Sequence, residues 1–341
     1  MHVLLIKLSS LGDIVHTLPA VEDATRRGIT FDWVVEEGFA AAPALHRGVR
    51  RVIPAALRRW RRSVVGSLGE ARAFRHALRR ERYGLALDAQ GLLKSAVVGR
   101  WSRSGDYAGF DRASARESAA AALYTRRLAV SRTGHAVDRM RALFAAALGY
   151  ERPTGEPVFG LEQGGQTKNT CILVHGTTWN TKHWPDRFWT AIAARAVAAG
   201  LTPVLPWLSD AERRRAEAVA ARVEGAEAAL PLPLGEVVPM LAEASAVVGV
   251  DTGLSHLAAA LGRPTLVVYG PTDVRLTGCR GPLAVGLQSE IGCSPCLSRT
   301  CRYRGPAVAW GGEPVDPPCY ASVDPERVWA EVTRLRAGSG A

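Results

Sequence analysis

Short apolar runs recur along the chain with amphipathic helical stretches between them, and this alternation limits the possible folds. The runs are Val3–Ile6, Phe31–Val35, Leu85–Asp88, Ile172–His175, Thr202–Leu205, Ala246–Val250 and Thr265–Tyr269. Helical stretches include Phe74–Arg82, Asp138–Leu148, Asp186–Ala199 and Ala211–Val223. Strands and helices in alternation predict an α/β protein whose parallel sheets are covered on both faces. The segment Glu151–Lys168 is rich in Gly, Pro, Thr and Gln, with little helical periodicity, and is expected to link two domains, residues 1–160 and 161–341. VLLIKLSSLGD and CILVHGTTWNTKHW open the two halves alike: a strand, a hydroxyl-rich loop, then a helix. Two Rossmann-like halves facing each other would leave a ligand cleft at the carboxyl ends of their strands.

No apolar run approaches the roughly 20 residues that a membrane span needs. MHVLLIKLSS lacks the basic start and small-residue cleavage site of a secretory signal, so the chain is expected to stay in the cytoplasm, where its six cysteines are kept reduced unless a metal holds them. The formal net charge of +11 points to an anionic partner: nucleic acid, an acidic membrane surface or a phosphorylated substrate. No nucleic-acid module is recognisable, and the basic stretch Arg47–Arg82 with the residue after it offers only three aromatics, Trp60, Phe74 and Tyr83, so nucleic acid is not the expected partner. Nearly all the cations are Arg. Of only four lysines, Lys7, Lys94, Lys168 and Lys182, three fall in the motifs below.

There is no G-x-G-x-x-G and no G-x-x-x-x-G-K-[ST], so a bound nucleotide must be held by another device. Lys7-Leu8-Ser9-Ser10-Leu11-Gly12-Asp13 follows the first strand. Ser9, Ser10 and Gly12 would let the backbone approach an anionic or sugar ligand. Asp13 is suited to take a proton from a hydroxyl, and equally to cap the next helix. His175-Gly176-Thr177-Thr178 and Lys182-His183-Trp184-Pro185 place two hydroxyls and an ammonium before a helix start, a site for phosphate if it is not merely a solvated loop. Val250-Asp251-Thr252-Gly253-Leu254-Ser255-His256 follows another strand and is expected to open a helix over Leu257–Leu261, with Asp251 able to bind sugar hydroxyls or simply to cap. The stretch Arg47–Arg82 carries twelve Arg against Glu70 and Glu81, a surplus that predicts guanidinium forks left for phosphates or carboxylates rather than self-paired surface charge.

On KLSSLGDIVHTLPA, FDWVVEEGFA, IPAALRRWRR, LDAQGLLKSA, HGTTWNTKHWP and VDTGLSHLAAALGRPTLVVYGPTD, the chain resembles the ADP-heptose:lipopolysaccharide heptosyltransferases, from about Met1 to Asp273. FDWVVEEGF and DAQGLLKSA place the likeness with the first heptosyltransferase of the inner core rather than the second. The resemblance implies a GT-B fold of two Rossmann-like domains, the acceptor held by the N-terminal one and the donor mainly by the C-terminal one. It also implies inverting, single-displacement transfer of heptose from ADP-L-glycero-β-D-manno-heptose to a Kdo hydroxyl of Kdo-lipid A, by a peripheral protein on the cytoplasmic face of the inner membrane.

By motif, Asp13 matches the family's general base, and Ser9, Ser10 and Gly12 its loop near the transferred sugar and phosphates. Thr177, Thr178, Lys182, Thr252 and Gly253 match diphosphate contacts. Asp251 matches a donor-sugar contact, His256 the donor-site histidine and Glu212, in LPWLSDAE, the acid that holds the ribose. Leu232 stands where relatives often carry Met beside the adenine. Arg58, Arg61, Arg116 and Arg139 match acceptor-side cations, with adjacent arginines leaving the register open. No cofactor and no metal are expected, and the chain is expected to act as a monomer. The run Cys293–Cys319 departs from the family pattern: Cys293, Cys296, Cys301 and Cys319 could hold Zn²⁺ tetrahedrally or remain unligated thiols in an irregular insertion.

Overall fold

A computed structural model describes residues 1–63, 65–161 and 166–338; part of the expected linker, residues 162–165, lies outside them. The chain divides into two compact units, Met1–Glu162 and Gln163–Ala341.

The first unit is built on six parallel strands: β1 His2–Ile6, β2 Thr30–Glu36, β3 Val49–Ala55, β4 Leu85–Asp88, β5 Tyr107–Phe110 and β6 Arg126–Leu128. They lie in the order β3-β2-β1-β4-β5-β6. The second unit repeats this plan with β7 Lys168–Val174, β8 Thr202–Leu205, β9 Glu227–Ala228, β10 Ala244–Val250, β11 Thr265–Tyr269 and β12 Ala284–Gln288, in the order β12-β11-β10-β7-β8-β9. Counted from its own first strand, each sheet has the doubly wound Rossmann order 3-2-1-4-5-6. The central strands are apolar at successive positions because helices cover both faces: every residue of β4, β10 and β11 is buried.

The apolar runs seeded seven of these strands. None of those runs corresponds to β3, β5, β6, β9 or β12. Of these, β3 reads VRRVIPA, and its arginines made it look like part of a basic surface stretch. The pairing that makes it a strand is non-local, to β2. The expected helices formed with one or both ends shifted, as Leu68–Arg79, Ala136–Leu148, Asp186–Ala198 and Asp210–Ala220. The helix Asp186–Ala198 stands on a packed aromatic cluster in which the Trp184 ring meets those of Phe188 and Trp189 edge-on. Truncating a buried Trp or Phe of that kind typically costs ~3–5 kcal/mol.

The tail after Asp273 completes the second unit. The helix Pro325–Gly338 packs on β10, β11 and the helix Asp186–Ala198, and buries Val328, Val332 and Leu335. Between β12 and that helix, the cysteine-bearing insertion is irregular apart from a small hairpin of Ala309–Trp310 with Glu313–Pro314 and a 3-10 turn, Pro318–Ser322, that carries Cys319. No helix among the described residues is long and apolar enough to cross a membrane.

Candidate active site

In a doubly wound sheet the strand order reverses beside the first strand, and the loops leaving the carboxyl ends there splay apart and leave a crevice for ligand. In the first unit those loops follow β1 and β4, and they are tied together. Asp88, buried at the end of β4, accepts hydrogen bonds from the Gln90 and Gly91 amides at 2.7 and 3.1 Å. Ser95 and Tyr124 hydroxyls also donate to it, each at 2.8 Å. Thus fixed, the Gln90 side-chain oxygen accepts from the Leu8 and Ser9 amides at 3.1 and 3.2 Å. Lys7, itself buried, donates to the Ala89 carbonyl at 3.0 Å.

Asp13 is the third residue of the helix Leu11–Val15, and Gly12 lies in the same first turn. One Asp13 oxygen, Oδ2, accepts from both the amide and the hydroxyl of Ser10 at 3.0 Å. Asp13 thus closes a capping box with one oxygen, and among the described residues its other oxygen accepts no hydrogen bond. Burial alone would raise its pKa. The Lys7 ammonium, the Ser10 amide and His16 outweigh that and hold the carboxyl below the usual carboxylate range. Burial in turn lowers the Lys7 ammonium, opposed by Asp13 and Asp88.

A small cavity of about 60 Å³ opens here, lined by Lys7, Asp13, His16, Gln90, Arg116 and Arg139 among others. Arg116 and Arg139 thus share this cavity with Asp13. Arg58 and Arg61 do not line that cavity; both are exposed at the short helix Leu57–Trp60 beyond β3, where the Arg58 guanidinium lies over the Phe39 ring at 5.5 Å. Lys7 and Gln90 were missed as site residues. The available signal was a Lys in an Arg-rich chain and a polar pair directly after a strand.

Four of the twelve arginines in Arg47–Arg82 are paired with carboxylates, and the rest of the expected surplus stands. Arg47 pairs with Glu22, Arg50 and Arg51 with Asp32, and Arg59 with Glu37 and Glu70. Asp32 sits on β2 beside β3, so its partners come from a neighbouring strand rather than from the local sequence. Arg58, Arg61, Arg62, Arg72, Arg75, Arg80 and Arg82 remain exposed with no ion pair among the described residues.

In the second unit the corresponding loops follow β7 and β10. Asp251 is almost fully buried. Its Oδ2 meets the Lys182 ammonium at 2.6 Å and its Oδ1 meets Nε2 of His256 at 3.1 Å. Burial would raise Asp251, but His256 and Lys182 hold it well below the carboxylate range. The helix begins earlier than expected, at Gly253–Ala260, with Thr252 as its N-cap. Gly253, Leu254 and Ser255 of the motif thus open the helix itself, where the first amides lack intrahelical acceptors. Ser255 donates to the Val250 carbonyl at 2.8 Å, and only a glycine at 249 leaves room for it: a Cβ there would come within 2.2 Å of the hydroxyl.

Thr177 and Thr178 lie in the irregular loop between β7 and the 3-10 turn Asn180–Lys182. Glu212 stands in the first turn of Asp210–Ala220. Its Oε2 accepts from the Leu208 and Ser209 amides at 2.8 and 3.0 Å, while Oε1 approaches the β7 loop at Gly176, where a Cβ would sit 2.3 Å from it. Leu232 is half-buried in the loop before the helix Leu234–Ala242. Trp179, beside Lys182, was not singled out from the sequence; the Lys182 ammonium lies over its ring at 4.8 Å.

All six cysteines are free thiols. Cys293, Cys296, Cys301 and Cys319 converge on one cavity of about 220 Å³. Burial, then the three neighbouring thiols, pushes Cys319 up to about 12. No group of three or more His, Cys, Asp or Glu side chains among the described residues is arranged to hold a metal ion.

The family model of glycosyltransferase family 9 (heptosyltransferase) matches residues 71–306. The chain is 46% identical to lipopolysaccharide heptosyltransferase 1 of Pseudomonas aeruginosa, over 99% of this chain and 98% of that one. It is also similar to the solved structure of Escherichia coli heptosyltransferase WaaC with ADP: TM-score 0.79 and 41% identity, over 84% of this chain and 92% of that one. The WaaC structure with ADP-2-deoxy-2-fluoro heptose gives a TM-score of 0.77 and 40% identity, over 85% and 93% of the two chains. Two Rossmann-like units together with this likeness make the fold class GT-B. A family model spanning more than half of the residues, and near-half identity along almost all of them, mean that the chain belongs to glycosyltransferase family 9, the heptosyltransferases.

Proposed function

We propose that this heptosyltransferase of lipopolysaccharide core synthesis moves L-glycero-D-manno-heptose from ADP-heptose to a Kdo hydroxyl of Kdo-lipid A, with inversion. The observation that carries the reading is Asp13: a carboxylate kept ionised in a cation-lined cavity at the switch point of the first sheet.

Asp13 takes the proton of the acceptor hydroxyl. The freed electron pair attacks the anomeric carbon from the face opposite ADP, and the bond to the diphosphate oxygen breaks with its electrons leaving on ADP. Arg116 and Arg139, with Arg58 and Arg61 further out, bind the anionic groups of the acceptor. Ser9, Ser10 and Gly12 border the transferred sugar. In the second unit, Lys182, Thr177, Thr178, Thr252 and the amides at Gly253 receive the negative charge that grows on the departing diphosphate. Asp251 and His256 contact the donor sugar, Glu212 the ribose and Leu232 the adenine. A lipid acceptor brings the protein to the cytoplasmic face of the inner membrane, where exposed arginines suit an anionic surface.

Incubation with ADP-heptose and Kdo-lipid A, followed by mass spectrometry, tests the proposal. The expected product is Kdo-lipid A carrying one added heptose. Transfer only to an already heptosylated core would move the chain to a later step.

A further inference from the structure

The cysteine-bearing insertion reaches the loop that carries Lys182. The Thr181 hydroxyl, in the 3-10 turn Asn180–Lys182, donates to the Ser298 carbonyl at 2.6 Å. The next residue, Arg299, lays its guanidinium against the Trp179 ring, 5.0 Å from the centroid. The Lys182 ammonium lies against the same ring at 4.8 Å. The indole therefore gathers two cations, one from the β7 loop and one from a segment more than a hundred residues away in sequence.

The two cations differ in one respect. Lys182 is neutralised by Asp251 at 2.6 Å. Arg299 is exposed, and among the described residues no carboxylate forms an ion pair with it. A cation–π contact at an exposed site is worth only ~0.5–1 kcal/mol, and a second cation at the same ring offsets part of it by repulsion. An anion arriving beside them removes that repulsion, and a guanidinium fork fits phosphate oxygens bidentately.

We propose that Arg299 is a second cation for the diphosphate of the nucleotide-sugar donor, positioned by Trp179 and by the Thr181–Ser298 hydrogen bond. Before donor binds, the ring holds the guanidinium in place, so less side-chain entropy is lost when the phosphates arrive. This rests on the assignment of Lys182 to the donor diphosphate, and the experiment separates the two.

Full-length wild type, R299A, R299K and K182A are titrated by calorimetry with ADP and with AMP. A charge-assisted hydrogen bond to phosphate is typically worth enough that R299A weakens ADP about tenfold. AMP, which lacks the second phosphate, is weakened much less, and R299K recovers part of the ADP affinity. R299A with unchanged ADP affinity, while K182A loses it, overturns the role of Arg299 alone. Equal losses for ADP and AMP in R299A also overturn it, because the effect is then not on the diphosphate. Unchanged ADP affinity in both R299A and K182A overturns the donor assignment together with the inference.

Discussion

At the switch point of the first unit, Asp13 uses one oxygen on Ser10 and keeps the other unbonded among the described residues, with Lys7, Arg116 and Arg139 around it. At the switch point of the second unit, Asp251 has both oxygens bonded, one to Lys182 and the other to His256. The two sheets have the same strand order and their acids both follow central strands. Both carboxyls are held below the ordinary range by cations that overcome burial. What separates them is an oxygen without a partner, which among the described residues only Asp13 keeps. A carboxylate with an open oxygen can accept a proton from a substrate. One bonded at both oxygens to a Lys and a His holds those two groups in place. Topology delivers an acid to each crevice, and the way two local partners are shared between its oxygens sets the two acids apart: both on one oxygen of Asp13, one on each oxygen of Asp251.

The sharpest way to break that contrast is Asp13→Ala. General-base catalysis is typically worth ~10²–10⁴-fold, and kcat should fall by that order while calorimetry finds ADP affinity unchanged. A folded variant with near-native kcat would leave Asp13 with its capping role alone. Lys182→Ala should act on the other unit in the other way. Loss of a charge-assisted contact to the diphosphate should weaken ADP roughly 10–100-fold and also lower kcat, because the ammonium meets more charge on the leaving group. Unchanged ADP affinity would refute the placement.

The arginines offer a finer test within the first unit. Arg116→Ala with Arg139→Ala should raise the acceptor KM more than Arg58→Ala with Arg61→Ala, because only the first pair lines the Asp13 cavity. Exposed ion pairs are worth ~0.2–1 kcal/mol each, so the outer pair should cost only several-fold, and less at high salt. Donor KM should stay put in both, and a change confined to ADP-heptose would reassign the residues.

The smallest effect concerns pH. Asp13 has a depressed pKa, so it stays ionised, and the rate should be lost only as pH falls through that lowered value. Lys7 is the largest of the influences that depress it. Lys7→Met should therefore move the acid limb of kcat/KM upward, towards the ordinary carboxylate range. An unmoved limb would mean that another group sets it.

Much of this was legible in the chain. The apolar runs, the hydroxyl-rich loops after them and the Asp at each of two strand ends are local patterns, and local patterns fix strands, caps and helix starts. Even the family likeness rests on short contiguous motifs. The structure decided the matters that depend on long chain separation. β3 became a strand because β2 lay beside it, and Arg51 was neutralised by Asp32 across that pairing. Arg116 and Arg139 reached Asp13 from segments about a hundred residues further on, while Arg58 and Arg61 did not. Lys182 met Asp251 across 69 positions, and Thr181 met Ser298 across 117. Apolar periodicity records which face of an element is buried but not which element covers it. A charge in the sequence acquires its partner, its pKa and its role only when the crossovers of the sheet have brought the other charge alongside.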